Sequence, residues 1–524
     1  MSMFSLATLF RPSQFLTIRG GIHPEYRKQL TSEAEVIRMP VPPLLRVPLQ
    51  QHSGAIAEPL VKRDDLVLKG QLIGRARGAM SANIHAPTSG RVLAVGHFTA
   101  PHPSGLPVPT ITLRADGEDR WGEHLPRLRP EDADPDEIAA QIERAGIVGL
   151  GGAAFPAAVK LNQRKKYTLD TLLLNGAECE PYLTCDDRLM REKAEEIVDG
   201  AGIMARALGV ARIIVAIESN KPEAIAALRQ FSHGLGTPLS VAVVPTQYPM
   251  GSAKHLVLAV TGKETPARAR TAELGVLVYN VATAHAVHLA VRYGEPLISR
   301  IVTVSGGALA QPANVEVLIG TPVTDVIDFC GGLIGEVDRI LLGGPMMGQP
   351  VQNLRVPVVK GTCGILALAP WETRKSDPMP CIRCGSCVQA CPCGLTPFEM
   401  NARIQSDDLE GAVKIGLMDC IACGSCAYAC PSSIPLVQGF DFAKGKLAER
   451  QSRKHQQAET KRLAEARKAR EEAIAEAKRQ AMARHKAQAA AKKAAAAAQA
   501  AEAGAEAPPP VPGIATDVGK EARQ

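Results

Sequence analysis

Cys381-Ile-Arg-Cys384-Gly-Ser-Cys387-Val-Gln-Ala-Cys391-Pro392 and Cys420-Ile-Ala-Cys423-Gly-Ser-Cys426-Ala-Tyr-Ala-Cys430-Pro431 share one spacing, C-x2-C-x2-C-x3-C-P. That spacing holds [4Fe–4S] clusters in two-cluster bacterial ferredoxins, where the fourth cysteine of each run ligates the other cluster. A tight Cys-x-x-Cys-Gly-x-Cys loop aims three thiolates at one cubane face, and its glycine lets the backbone curl around the sulfides. The pattern assigns Cys381, Cys384, Cys387 and Cys430 to one cluster, and Cys391, Cys420, Cys423 and Cys426 to its partner. Structural zinc takes paired C-x2-C knuckles rather than triplets trailed by Cys-Pro. The other five of the thirteen cysteines, Cys179, Cys185, Cys330, Cys363 and Cys393, are scattered. Scattered thiols fit a reducing compartment and not a disulfide framework. Cys393 lies two residues past Cys391, an offset that fits neither run.

Working outward, 524 residues and 46% hydrophobic content leave room for several packed domains. Residues 351–440 are expected to form the cluster unit, an α-helical ferredoxin-type domain. Before it, residues 276–350 read as a helix from Ala282 to Tyr293 and then a β-grasp order. There, Arg300 to Ser305 is a strand, and Ala313 to Gly332 runs strand, turn, helix. Residues 121–275 alternate helix and strand, which predicts an α/β layer with parallel strands. Its helices are Glu137 to Ala145, Glu192 to Leu208 and Pro222 to Phe231; its strands are Leu172-Leu-Leu174, Arg212 to Ile217 and Leu239 to Val244. Residues 41–120 carry short strands punctuated by Gly and Pro, a pattern resembling the barrel-sandwich hybrid of lipoyl and biotinyl carriers. The hairpin Arg75 to Ala82 holds no lysine, so this module is expected to be unmodified.

The ends differ in character. Residues 1–40 form an N-terminal segment in which Met1 to Phe10 reads as a loosely packed tail and not a secretory signal. Residues 441–524 hold 18 Lys and Arg against 11 Asp and Glu, so the formal charge of +7 resides there. The folded part is neutral overall, so the basic balance says nothing of a nucleic-acid groove there, and no nucleic-acid partner is expected. The tail's helix propensity is high, but large apolar residues are too sparse for a coiled-coil seam. A solvated extension, partly helical and ending in disorder, is expected. No run of eighteen apolar residues occurs, which predicts no transmembrane helix.

A second chemical signal is Gly146-Ile-Val-Gly149-Leu-Gly151-Gly152-Ala-Ala-Phe155-Pro156-Ala-Ala-Val-Lys160. Its glycines let backbone N–H groups approach a phosphate, and a following helix N-terminus favours negative charge. Downstream, Asn175-Gly-Ala-Glu178-Cys-Glu180-Pro181-Tyr182 follows a strand, where α/β sheets place ligands. These stretches, with Tyr279-Asn-Val-Ala-Thr-Ala284, Gly20-Gly-Ile-His-Pro24 and the twin cysteine runs, closely resemble the C subunit of Rnf/Rsx complexes over roughly residues 15–440. A more distant relative is the flavin-carrying, NADH-oxidising subunit of respiratory complex I.

The resemblance implies a multidomain chain in which residues 121–275 form a Rossmann-like flavin/NADH domain. It implies a subunit of an ion-translocating oxidoreductase of NADH:ferredoxin type, which couples electron transfer to ion movement and binds FMN, two [4Fe–4S] clusters and NAD(H). Its partners would be the membrane subunits of the complex and ferredoxin or an equivalent carrier. Its place would be peripheral, on the cytoplasmic face of the bacterial inner membrane. Carried over by position, Gly149, Gly151, Gly152 and Lys160 would cradle the flavin phosphate and ring. Asn175, Glu178 and Asn280 would hold the flavin, Phe155 and Glu180 would face the nicotinamide nucleotide, and Tyr248 would lie over the flavin. Hydride transfer by FMN needs no catalytic side chain. Leu150, Ala154, Ala177 and Ala253 depart from the complex I pattern. Two other readings remain at this level: a cluster-bearing relay scaffold without flavin chemistry, and a diaphorase subunit of a soluble hydrogenase or formate dehydrogenase.

Overall fold

A computed structural model describes residues 17–503 apart from Pro103, Leu235, Arg374 and Lys375. The segment Met1 to Phe10 and residues 504–524, at the end of the tail where disorder is expected, lie outside the described residues.

Two small antiparallel sheets open the fold. One orders Leu44–Pro48, Pro107–Ala115, Gly90–Thr99 and Leu66–Val67; the other orders Glu58–Pro59, Leu72–Arg75 and Ile84–His85. Leu45, Val47, Ile111, Leu113, Val92 and Ile84 bury themselves in a shared core, as alternation along half-wet strands requires.

A four-stranded parallel sheet follows, ordered Leu239–Val244, Arg212–Glu218, Thr171–Gly176 and Val276–Asn280. Leu172, Leu173 and Leu174 are all fully buried, because a crossover sheet is covered on both faces. Leu172 and Leu174 pack with helices Pro135–Arg144, Ala194–Leu208, Pro222–Phe231 and Val281–His288. Leu173 points the other way, into a core with Leu256 and Val257 of helix Ala253–Thr261, Tyr248, Met250 and Cys423. That second face thus meets the cluster unit.

The third sheet has six strands, ordered Ile37–Arg38, Ala313–Leu318, Ser299–Ser305, Gly364–Leu368, Arg339–Leu342 and Gln349–Pro350. It reaches beyond the 276–350 span expected from the sequence at both ends. Ile37–Arg38 is only two residues long, and Gly364–Leu368 is uniformly buried, so neither shows an alternating pattern. The cluster unit itself is built on short helices, including Ser386–Ala390, Pro397–Gln405, Leu409–Lys414 and Ser425–Tyr428.

Helix Leu436–Ala503 then runs unbroken for 68 residues. The expected partly helical tail is therefore helical throughout its described part. Ala-rich composition supplies the propensity, and pairs such as Arg453 with Glu449 and Arg467 with Glu471 add i,i+4 support. Residues from Gly445 form a separate compact unit. Among the described residues, no helix is long and apolar enough to cross a membrane.

Candidate functional site

Along the parallel sheet the strands run third, second, first, fourth in chain order. The direction of winding reverses between Thr171–Gly176 and Val276–Asn280, and open α/β sheets bind ligands beyond the carboxyl ends of strands at such a reversal. Asn175 and Asn280 are register partners there. Asn175 donates Nδ2 to Gly251 O at 2.8 Å and accepts from Ala177 N at 3.1 Å. Asn280 caps helix Val281–His288 by accepting from Ala282 N at 2.8 Å, and it donates Nδ2 to Asp186 Oδ2 at 2.6 Å.

The glycine loop lies against this pair. Gly149 N donates to Phe155 O at 2.7 Å and Leu150 N to Thr283 Oγ1 at 3.0 Å, which pins the loop to the start of helix Val281–His288. A Cβ on Gly151 would sit 3.4 Å from Asn280 Cβ, whereas one on Gly152 would meet nothing within 4 Å. Gly152 is required by its φ of +100° and leaves bare, exposed backbone. Half-buried Lys160, on helix Ala157–Leu161, donates to Val278 O and stands 4.6 Å from the Tyr279 ring centroid. Burial pushes its amine down to about 8. An ammonium whose contacts here are a carbonyl and an aromatic face gains most from an added anion. Bare backbone plus this cation fit a phosphate group.

The loop from Ala177 to Leu183 is caged from behind. Lys28 donates to Glu178 O at 2.8 Å and Glu180 O at 3.0 Å, and Lys221 donates to Ala177 O at 2.6 Å. Glu178 accepts from Asp186 N at 2.7 Å and Asp187 N at 3.2 Å. It thereby caps helix Cys185–Glu192, which lacks a side-chain cap of its own. Burial, and then the charge of Glu178, push the Asp186 carboxyl upward. Glu180 accepts from Met346 N at 3.0 Å and Met347 N at 2.9 Å, and burial pushes it up to about 7. Tyr248 is buried and donates its hydroxyl to Cys423 O at 2.6 Å.

Two small cavities gather the cysteines. Cys381, Cys384, Cys387 and Cys430 line one with Phe398 and Ile434. Cys391, Cys420, Cys423 and Cys426 line the other with Leu395 and Phe440, and Cys393 borders it as well. Each takes three thiols from one run and a fourth from the other. Four convergent soft donors in an apolar wall fit an iron–sulfur cluster.

The glycines, asparagines, glutamates and cysteines of these sites are legible in the sequence. Asp186, Lys28, Lys221 and the Met346–Met347 amides that support them are not. Lys28 reaches a loop 150 residues away, and no local pattern marks such a partner. Asp186 follows shortly after Tyr182, and its proximity to Glu178 arises only once the intervening loop closes.

Comparisons with known proteins divide the chain in order. Residues 16–118 match the RnfC barrel sandwich hybrid domain, 142–289 the Nuo51 FMN-binding domain, 301–350 the SLBB domain and 377–434 the 4Fe-4S dicluster domain. The C subunit of the ion-translocating oxidoreductase complex of Rhodobacter capsulatus is 72% identical over 456 residues, covering 87% of this chain and 88% of that one. Its namesake from Pseudomonas aeruginosa is 44% identical, covering 86% and 58%. The C subunit of the proton-translocating ferredoxin:NAD(+) oxidoreductase complex of Clostridium ljungdahlii is 42% identical over 392 residues, covering 75% and 85%. A crystal structure of NAD+-reducing [NiFe]-hydrogenase in the H2-reduced state superposes with a TM-score of 0.45 at 20% identity, covering 60% and 63%.

Proposed function

The chain belongs to the family of C subunits of ion-translocating oxidoreductase complexes, and from that premise we propose how its own residues serve as the electron-entry point. It carries an FMN-binding domain and a 4Fe-4S dicluster domain. When bound, FMN exchanges a hydride with NAD(H) and the clusters carry electrons singly.

The residues do the rest. Exposed backbone at Gly151 and Gly152, with Gly149 setting the turn, receives the flavin phosphate, and Lys160 neutralises it. Asn175 and Asn280 fix the ring edge at the strand ends, and Glu178 holds that loop by capping the helix beyond it. Phe155 and Glu180 face the nicotinamide nucleotide, and Tyr248 closes the flavin side. Cys381, Cys384, Cys387 and Cys430 hold one cluster; Cys391, Cys420, Cys423 and Cys426 hold the other. No side chain has to move a proton, so the protein's work is binding, orientation and electrostatics.

The observation that carries this reading is the winding reversal at Asn175 and Asn280, with the bare glycine loop and Lys160 beside it. The partners are the membrane subunits of the complex and a ferredoxin or equivalent carrier, and the protein sits peripherally on the cytoplasmic face of the membrane. Anaerobic reconstitution with FMN tests the flavin site: the protein should retain about one flavin per chain and NADH should bleach it. Cluster-loaded protein that retains no flavin would leave a relay scaffold. Membrane fractionation, with and without the other subunits, tests the location.

A further inference from the structure

Helix Leu436–Ala503 ends its described length with charge on one side only. We propose that the face formed there by Lys478, Arg479, Lys486, Lys492 and Lys493, with Ile474 and Met482 set among them, lies flat on an anionic phospholipid bilayer. This contact rests on the peripheral membrane place proposed above, and it supplies the surface and the lipid chemistry that such a place requires.

The helix changes character along its length. Between Glu449 and Glu472, cations pair within it: Arg453 with Glu449, Arg462 with Glu459, Lys461 with Glu465, Arg467 with Glu471 and Lys468 with Glu472. Opposite charges held this close largely cancel at a distance. From Ala477 to Ala501 the sequence holds six Lys and Arg and no Asp or Glu. None of those six makes an ion pair among the described residues, and every residue of the stretch is exposed.

Spacing gathers these charges on one side. Lys478-Arg479, His485-Lys486 and Lys492-Lys493 recur every seven residues, and seven residues fall within about 20° of two full turns. All the cations but Arg484 therefore share an arc of about 140° along about 22 Å of helix. Ile474 and Met482, 51% and 77% exposed, project from the same side, about 40° to either side of Lys478. Apart from Arg484, the opposite face of this stretch is alanine and glutamine.

That mixture fits a headgroup layer. The long cationic side chains reach lipid phosphates while Ile474 and Met482 enter the acyl boundary between them. A nucleic acid supplies phosphates but no apolar layer beneath them. A straight stripe also meets a plane along its whole length. Each cation near an anionic leaflet is worth about fivefold in affinity, and the alanine face is too weakly apolar to draw the helix deeper.

The test uses the full chain, cluster-loaded and anaerobic, with protein-free vesicles of phosphatidylcholine alone or with about 30% phosphatidylglycerol. The protein should float with the anionic vesicles only, and high salt should release it. Lys478→Gln, Arg479→Gln, Lys486→Gln, Lys492→Gln and Lys493→Gln together keep helix propensity and should weaken binding at least about a hundredfold, with iron and flavin content unchanged. Arg453→Gln, Lys461→Gln, Arg462→Gln, Arg467→Gln and Lys468→Gln remove the same charge and should cost less than about tenfold; equal losses would overturn the stripe. Ile474→Ala with Met482→Ala should weaken vesicle binding about tenfold. No change there, or equally tight binding of the wild-type chain to duplex DNA, would overturn the assignment to lipid. A wild-type chain that ignores protein-free vesicles yet sediments with membranes holding the other subunits would overturn the helix contact and keep the peripheral place. Failure to sediment with those membranes would overturn the peripheral place itself.

Discussion

Raising the pH from 7 to 9 should weaken FMN binding about tenfold if, as proposed, a charged Lys160 holds the phosphate. In the free protein burial has pushed its amine down to about 8, so about nine-tenths is charged at pH 7 and about one-tenth at pH 9. A bound phosphate returns the amine toward its ordinary range, making flavin binding and proton uptake one event across that interval. The tenfold loss corresponds to about 1.4 kcal/mol. The sign is the reverse of a paired lysine: from about pH 8 up to its unfolded value the folded free protein holds fewer protons, so its own stability rises with pH. Flavin fluorescence titrations at the two pH values read the effect, with riboflavin, which lacks the phosphate, as a control that should stay flat. Lys160→Met should bind weakly and lose the dependence. A flat wild-type profile, or a slope that survives in Lys160→Met, would refute the reasoning.

Other substitutions probe the scaffold. Ala154 holds a φ of +47°, so Ala154→Gly should relieve about 1 kcal/mol of left-handed strain, part of it offset by the entropy of the unfolded glycine. Denaturant unfolding should show a net gain of roughly 0.5 kcal/mol, and a clear loss would contradict it. Glu178→Gln removes the charge from two backbone bonds that cap helix Cys185–Glu192; thermal unfolding should show a cost of about 1–2 kcal/mol, and no change would deny the capping role. Gly20→Ala places a Cβ against Cys391 O at a φ of +65°. It should broaden one EPR signal only and cost roughly 1–3 kcal/mol; two unaltered signals would remove the N-terminal segment from the cluster's support.

Much of the molecule can be read from local pattern. Pro222–Phe231 and Leu239–Val244 match the expected bounds, because a proline at the first turn and a short apolar run carry their own signals. The family resemblance likewise rests on contiguous runs, and the curated relatives place the chain in that family. What is not legible depends on distance. Ile37–Arg38 becomes a strand only by pairing with Val315 and Glu316. Glu192 reads as the start of one long helix, but the helix breaks at Lys193, separating Cys185–Glu192 from Ala194–Leu208. The described part of the tail is a helix without a packing seam, because sparse apolar residues argue only against packing, and a helix laced by charge pairs does not need it. At the site, residue types suggest Asn175, Glu178 and Asn280, but their mutual support through Asp186 arises from separate segments meeting at the sheet's end.

The most direct measurement is the combined iron, sulfide and flavin content of the anaerobically reconstituted chain, followed by its spectrum on adding NADH. Two clusters beside one flavin predict about eight iron, about eight sulfide and about one FMN per chain, with flavin absorbance bleaching on NADH before a partner protein is added. Full iron and sulfide with no retained flavin and no response to NADH would contradict an electron-entry subunit.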